Sequence, residues 1–177
     1  MSESPHQKKK QNRNPRLGAI GEELVKYNLL ARDWDVINLN AVGNNRPNAD
    51  LLAVKGRTVV RIQVKTSKYK EAVQLGWIGE DGTNVNGKDG DPADFFVLVG
   101  HANPNDFSIV IVPANHMKDW ETRNRRAHAE HGRTKNPGYV YFGKQVRKTK
   151  FAINKSGEEF AKYIDAWHLL DEFVSKL

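Results

Sequence analysis

The chain has 177 residues, enough for one domain with one sizeable core, and carries 28 Lys and Arg against 21 Asp and Glu. The resulting formal charge of +7 and a sequence pI near 9.6 favour a polyanionic partner, with nucleic acid first among them. Cysteine is absent, which excludes disulfides, thiol nucleophiles and Cys-ligated zinc and leaves oxygen and imidazole as metal ligands, a set that suits hard cations.

Met1–Pro15 holds Lys8-Lys9-Lys10 and Arg13 with few apolar residues, so it reads as a flexible basic arm ahead of a single domain over residues 16–177. It lacks the apolar core of a signal peptide, and no apolar run in the chain approaches the ~18 residues of a spanning helix; a cytoplasmic protein without membrane contact is expected. From Leu17 to Ala31, the positions Leu17, Ile20, Leu24, Tyr27 and Leu30 recur at three- and four-residue steps and predict an amphipathic helix. Strands are expected over Trp34–Asn40, Asn48–Val54 and Thr58–Thr66, the last two joined by a Lys55-Gly56-Arg57 turn.

Gly76 to Asp91 collects five glycines with Asn84, Asn86 and Asp89 and reads as a long surface excursion. Phe95–Val99 and Phe107–Val112 are apolar runs of strand length, giving a sheet of about five strands. Asn115 to His131 is expected to be helical and Tyr139–Phe142 a short edge strand. Ser156 and Glu159 form a capping-box pattern ahead of Phe160, Ile164, Trp167, Leu170 and Phe173, which predicts one long closing helix. The whole is a mixed α/β or α+β domain, a central mixed sheet flanked by helices.

The chemistry concentrates in the meander. In Thr58–Lys65, Val60, Ile62 and Val64 share one face while Arg61, Gln63 and Lys65 share the other. Taken alone, that polar face is an ordinary solvated one. The preceding strand, however, opens on a single carboxylate, Asp50, followed by Leu51-Leu52-Ala53-Val54. A buried lone carboxylate needs a partner, either a cation or a lysine, and a hairpin brings Asp50 beside Gln63 and Lys65. A structural Asp–Lys pair is the alternative.

The order Asn48-Ala49-Asp50, hairpin, Gln63-Val64-Lys65 resembles the PD-(D/E)xK motif of the restriction-endonuclease-like nucleases. Gly18-Ala19-Ile20-Gly21-Glu22-Glu23 resembles the Gly-x-x-(Gly/Ala)-Glu start of Holliday-junction-resolvase-like members, whose helix glutamate points into the active site. The likeness spans Leu17 to Val99 and departs from the pattern at Gln63, which stands where the family has an acid and lowers the charge available to a metal. It implies an αβββαβ core and a magnesium-dependent endodeoxyribonuclease whose catalytic residues are Glu22, Asp50, Gln63 and Lys65. Mg2+ or Mn2+ would be held by Asp50, Gln63, the main-chain carbonyl of Val64 and Glu22, with Glu23 the competitor for the helix position. It further implies DNA as substrate and a homodimer. The rival is a non-catalytic nucleic-acid-binding module with a degenerate site.

Other chemistries find less support. His116, His128 and His131 lack metal-ligand spacing and read as solvated, and no Gly-x-Ser-x-Gly elbow surrounds Ser67, Ser108 or Ser156. The glycine-rich stretch lacks the Gly-Lys-Ser/Thr end of a phosphate loop. Two basic clusters, Arg123, Arg125, Arg126 and Arg133, then Lys144, Arg147, Lys148 and Lys150, are candidates for DNA-backbone contact.

Overall fold

The computed structural model describes residues 15–40, 49–77, 93–103, 105–130, 137–142 and 156–176. Helix α1 (Pro15–Leu30) starts on a proline, whose fixed φ and missing N–H suit a first helical turn. Its buried stripe is Gly21, Val25 and Leu29. The helix is therefore rotated from the expected face, and Ile20, Tyr27 and Leu30 of the periodic set are exposed. The reason lies in the strand beneath: Gly21 packs on Thr66, where a Cβ would fall 1.8 Å from Oγ1, so the helix turns its one small contact residue inward.

Five strands form the main sheet in the order β1-β2-β3-β5-β6: β1 (Asp35–Asn38), β2 (Leu51–Lys55), β3 (Thr58–Ser67), β5 (Phe95–Asn103) and β6 (Asp106–Pro113). The β2–β3 hairpin pairs Lys55 with Thr58 across Gly56-Arg57. Gly56 has φ +61°, the conformation a glycine supplies at the first central position of such a tight turn. β3 and β5 run parallel, the other pairs antiparallel, so the sheet is mixed as expected. β4 (Ala72–Trp77) was not foreseen; it lies in the crossover from β3 to β5 and overlaps the start of the expected surface excursion. It pairs with β7 (Pro137–Tyr141) in a separate two-stranded sheet. Residues 78–92 lie outside the described residues.

Each face of the sheet carries its own core. Val60, Ile62, Val64, Phe95, Val97 and Val99 pack with Val25 and Leu29 of α1 and with Trp167 and Leu170 on one side. Phe96, Leu98, Val110 and Val112 pack with Met117, Trp120, Val140 and Phe160 on the other. Each such buried side chain stabilises by about 1.5–3 kcal/mol relative to exposure. This two-sided burial is why β5 is apolar without alternation.

Helix α2 (Ala114–Glu130) agrees with expectation. The closing helix does not: it is broken into α3 (Ser156–Ala161) and α4 (His168–Val174). Phe160 belongs to one core and Leu170 to the other, so the chain must cross the sheet edge between them. It does so along β6, with Ile111 N–H donating to Tyr163 O at 2.9 Å and Asp165 N–H donating to Ile109 O at 3.0 Å. The crossing covers part of an open strand edge and leaves Ile164 41% exposed. No helix among the described residues is long and apolar enough to cross a membrane.

Candidate active site

β2 begins at Leu51, whereas β3 continues to Ser67. The end of β2 therefore leaves a notch beside the second half of β3. Asp50 sits at its mouth, its N–H donating to Ile62 O at 2.9 Å, and extending the hairpin register by one step from Leu51↔Ile62 places it opposite Gln63. Its carboxylate accepts from the Val64 N–H at 2.8 Å and from the Gln63 side-chain amide. In an extended strand a residue's N–H and C=O point to the same neighbour, so the Val64 carbonyl faces the same notch. Lys65 follows Gln63 on one face of β3, ~7 Å along the strand at its usual rise.

Glu22 enters from α1. The close approach of Gly21 to Thr66 holds this turn of the helix against β3, and the next residue reaches past the end of β2. Its carboxylate accepts from Asn40 Nδ2 at 3.0 Å and from Asn38 Nδ2 at 3.3 Å. Asn40 Nδ2 also donates to Asp50 Oδ1 at 3.0 Å, so a single amide nitrogen joins the two carboxylates and bounds the separation of those oxygens at twice that distance. Glu23 is exposed, with Lys26 3.6 Å away, and stands outside this network. Burial pushes the Glu22 carboxyl above its ordinary range and the charge of Asp50 adds to the effect.

Asn38 and Asn40 were not identified from the sequence. Both follow from local chain chemistry: Asn40 N–H donates to Asn38 Oδ1 at 2.8 Å, an Asx turn that curls the chain back at the end of β1. Leu39 N–H donates to Asp50 O at 2.9 Å, which fixes that turn over the carboxylate. The Asn-x-Asn spacing just before a breaker-rich stretch was the available signal. Arg61, the third member of the polar face, is committed elsewhere, to a two-pronged pair with Asp94 at 3.0 and 3.2 Å.

The candidate donors of the notch are two carboxylates, the side-chain amides of Asn40 and Gln63 and the Val64 main-chain carbonyl, Asn38 Oδ1 being taken by the Asn40 N–H. All are hard oxygen donors, or become so when the amides present oxygen, and they fit magnesium or manganese better than zinc. No group of three or more His, Cys, Asp or Glu suited to a metal occurs among the described residues; the third anionic position is Gln63. Asn40 Oδ1 is buried without a hydrogen-bond partner among the described residues.

The remaining candidates are dispersed. Arg123 is exposed but bound to Glu159, its guanidinium donating at 2.5 Å, while Arg126 is exposed. The side chain of Arg125, and Arg133, Lys144, Arg147, Lys148 and Lys150 entirely, lie outside the described residues, as do His131 and the His128 side chain. His116 is not solvated as expected: its ring packs on Phe160 and Tyr163 at 5.6 and 4.9 Å, with Nε2 2.9 Å from Glu159. Ser67 is structural, accepting from the Tyr69 N–H.

No family model matches the sequence, and no curated protein matches it. Among solved structures, the bacterial homing endonuclease I-Ssp6803I is similar over 90% of this chain and 92% of its own, with 14% identity and a TM-score of 0.53. Hjc, a Holliday junction resolvase from Archaeoglobus fulgidus, is similar over 55% of this chain and 73% of its own, with 17% identity and a TM-score of 0.36. The mixed five-stranded sheet flanked by helices is a restriction-endonuclease-like fold.

Proposed function

We propose that this chain is a divalent-cation-dependent endonuclease acting on DNA, with Glu22, Asp50, Gln63 and Lys65 as its working residues. The observation that carries this reading is the convergence on one notch of Asp50 at the start of β2, Gln63 and the Val64 N–H from β3 and Glu22 from α1. The charge of +7 and the likeness in fold to an endonuclease support DNA as the substrate.

Asp50, Glu22, Gln63 and the Val64 carbonyl would hold Mg2+ or Mn2+. Such an ion polarises a phosphate and lowers the pKa of a bound water. The chain's own contribution is placement. The Val64 N–H and Asn40 fix the orientation of Asp50, and the Gly21 contact fixes the depth of Glu22. Lys65 brings an ammonium group to the same face, where it offsets charge developing on the phosphate and orients the attacking water. A homodimer would pair two notches for two strands, and a cytoplasmic location accords with this role.

A cleavage assay on plasmid and branched DNA with Mg2+, Mn2+ or EDTA tests the reading: nicking or cutting with either ion and none with EDTA is expected. Gln63 in place of an acid favours a second reading, a DNA-binding module without turnover. Tight binding with no cutting under any ion would select it.

A further inference from the structure

The amide of Asn40 bridges the two carboxylates that would hold a cation, and it presents to them the wrong atom for a ligand. Its nitrogen donates to both Glu22 and Asp50 at 3.0 Å, while its own Oδ1 is buried with no hydrogen-bond partner among the described residues. Gln63 does likewise: its nitrogen, not its oxygen, faces Asp50. Two neutral amides turned nitrogen-inward relieve the mutual repulsion of a pair of adjacent carboxylates through their N–H groups.

Beside a dication held by these carboxylates this orientation would be repulsive, since N–H hydrogens carry partial positive charge. The terminal torsion of an asparagine is broad and roughly two-fold, so a half-turn about Cβ–Cγ exchanges nitrogen for oxygen without moving the backbone. The backbone here is also held, by Asn40 N–H to Asn38 Oδ1 and Leu39 N–H to Asp50 O.

We infer that Asn40 is a turnover ligand: its amide bridges Glu22 and Asp50 when the site holds no cation, and its oxygen coordinates the cation when one binds. The inference rests on the metal-dependent reading above and adds to it a ligand outside the Asp50 and Gln63-Val64-Lys65 motif. It also accounts for Gln63. Two carboxylates balance a divalent charge, and neutral oxygens from Asn40, Gln63 and Val64 supply coordination number in place of a third acid.

The test is Mn2+ binding by calorimetry on the full chain, with thermal unfolding in EDTA and in Mn2+. Asn40→Ala should weaken Mn2+ by about 10-fold or more, the scale of losing a group that ligates or orients a ligand. Asn40→Asp, able to present only oxygen, should melt lower than wild type in EDTA and show a larger Mn2+-induced rise. In the wild-type protein the Asn40 side-chain NH2 resonances should shift on adding Mg2+. Asn40→Ala binding Mn2+ as tightly as wild type, or more tightly, would make the amide a spacer and overturn the inference. If Asn40→Ala does not fold, an Mn2+-induced rise for Asn40→Asp no larger than that of wild type overturns it equally. Wild-type protein that fails to bind Mn2+ at all overturns the functional reading itself, and the inference with it.

Discussion

Burial holds the Glu22 carboxyl above the usual carboxylate range, the nearby charge of Asp50 raises it further, and hydrogen bonds from Asn40 and Asn38 oppose both. A carboxyl whose folded pKa exceeds its unfolded one binds its proton more tightly in the native state. Stability is then unaffected well below the ordinary glutamate pKa, falls as pH rises from that value to the raised one, and is level again above. With EDTA present, wild-type protein should lose stability relative to Glu22→Gln across that window, as read from urea midpoints against pH; a constant difference would contradict the shift. At this scale Asp50, Gln63 and Lys65 were legible in the sequence because a two-residue turn at Gly56-Arg57 fixes the register and side chains alternate. Glu22 was legible only through its likeness to a known helix start. Asn40 was not, because its place depends on an Asx turn at the end of β1 that closes over Asp50, a residue ten positions further along the chain.

The packing of α1 on β3 sets the depth of Glu22, and it depends on the missing side chain at Gly21. Gly21→Ala would place a Cβ 1.8 Å from Thr66 Oγ1 and 2.9 Å from Thr66 Cβ. It should destabilise by about 1–3 kcal/mol, seen in thermal melts, and reduce cleavage by displacing Glu22; Thr66→Ala in the same chain should recover part of the loss. Gly18→Ala is the control: nothing lies within 4 Å of a Cβ there, and alanine's helix propensity should stabilise by up to about 1 kcal/mol. Periodicity located α1 but chose the wrong face, since it weighs apolar residues and gives no credit to a glycine at a close contact. It also fused α3 and α4, because Phe160, Trp167 and Leu170 keep helical spacing while serving opposite faces of the sheet. β4 was missed since its partner β7 is remote in sequence and its glycine-bearing end merges with the glycine-rich stretch.

For the molecule as a whole, the proposed reading and a charge of +7 predict a salt-dependent DNA affinity, falling by about 0.9 log units per phosphate contact for each log unit of salt. Changing Lys144, Arg147, Lys148 and Lys150 together to Ala should lower that slope and weaken binding evenly across DNA sequences; an unchanged slope would remove this cluster from the interface. Arg123 should contribute less than its exposure suggests, because Glu159 already holds it. The mixed sheet and its flanking helices were legible because each strand carries its own apolar run, whereas the second small sheet required knowing what the crossover does in space. The most direct test compares wild type with Asp50→Ala and Lys65→Ala, measuring Mg2+-dependent cleavage and DNA affinity on the same preparations. Both variants should bind DNA within a few-fold of wild type and cut none of it; normal turnover by either would contradict the assignment of the notch as the active site.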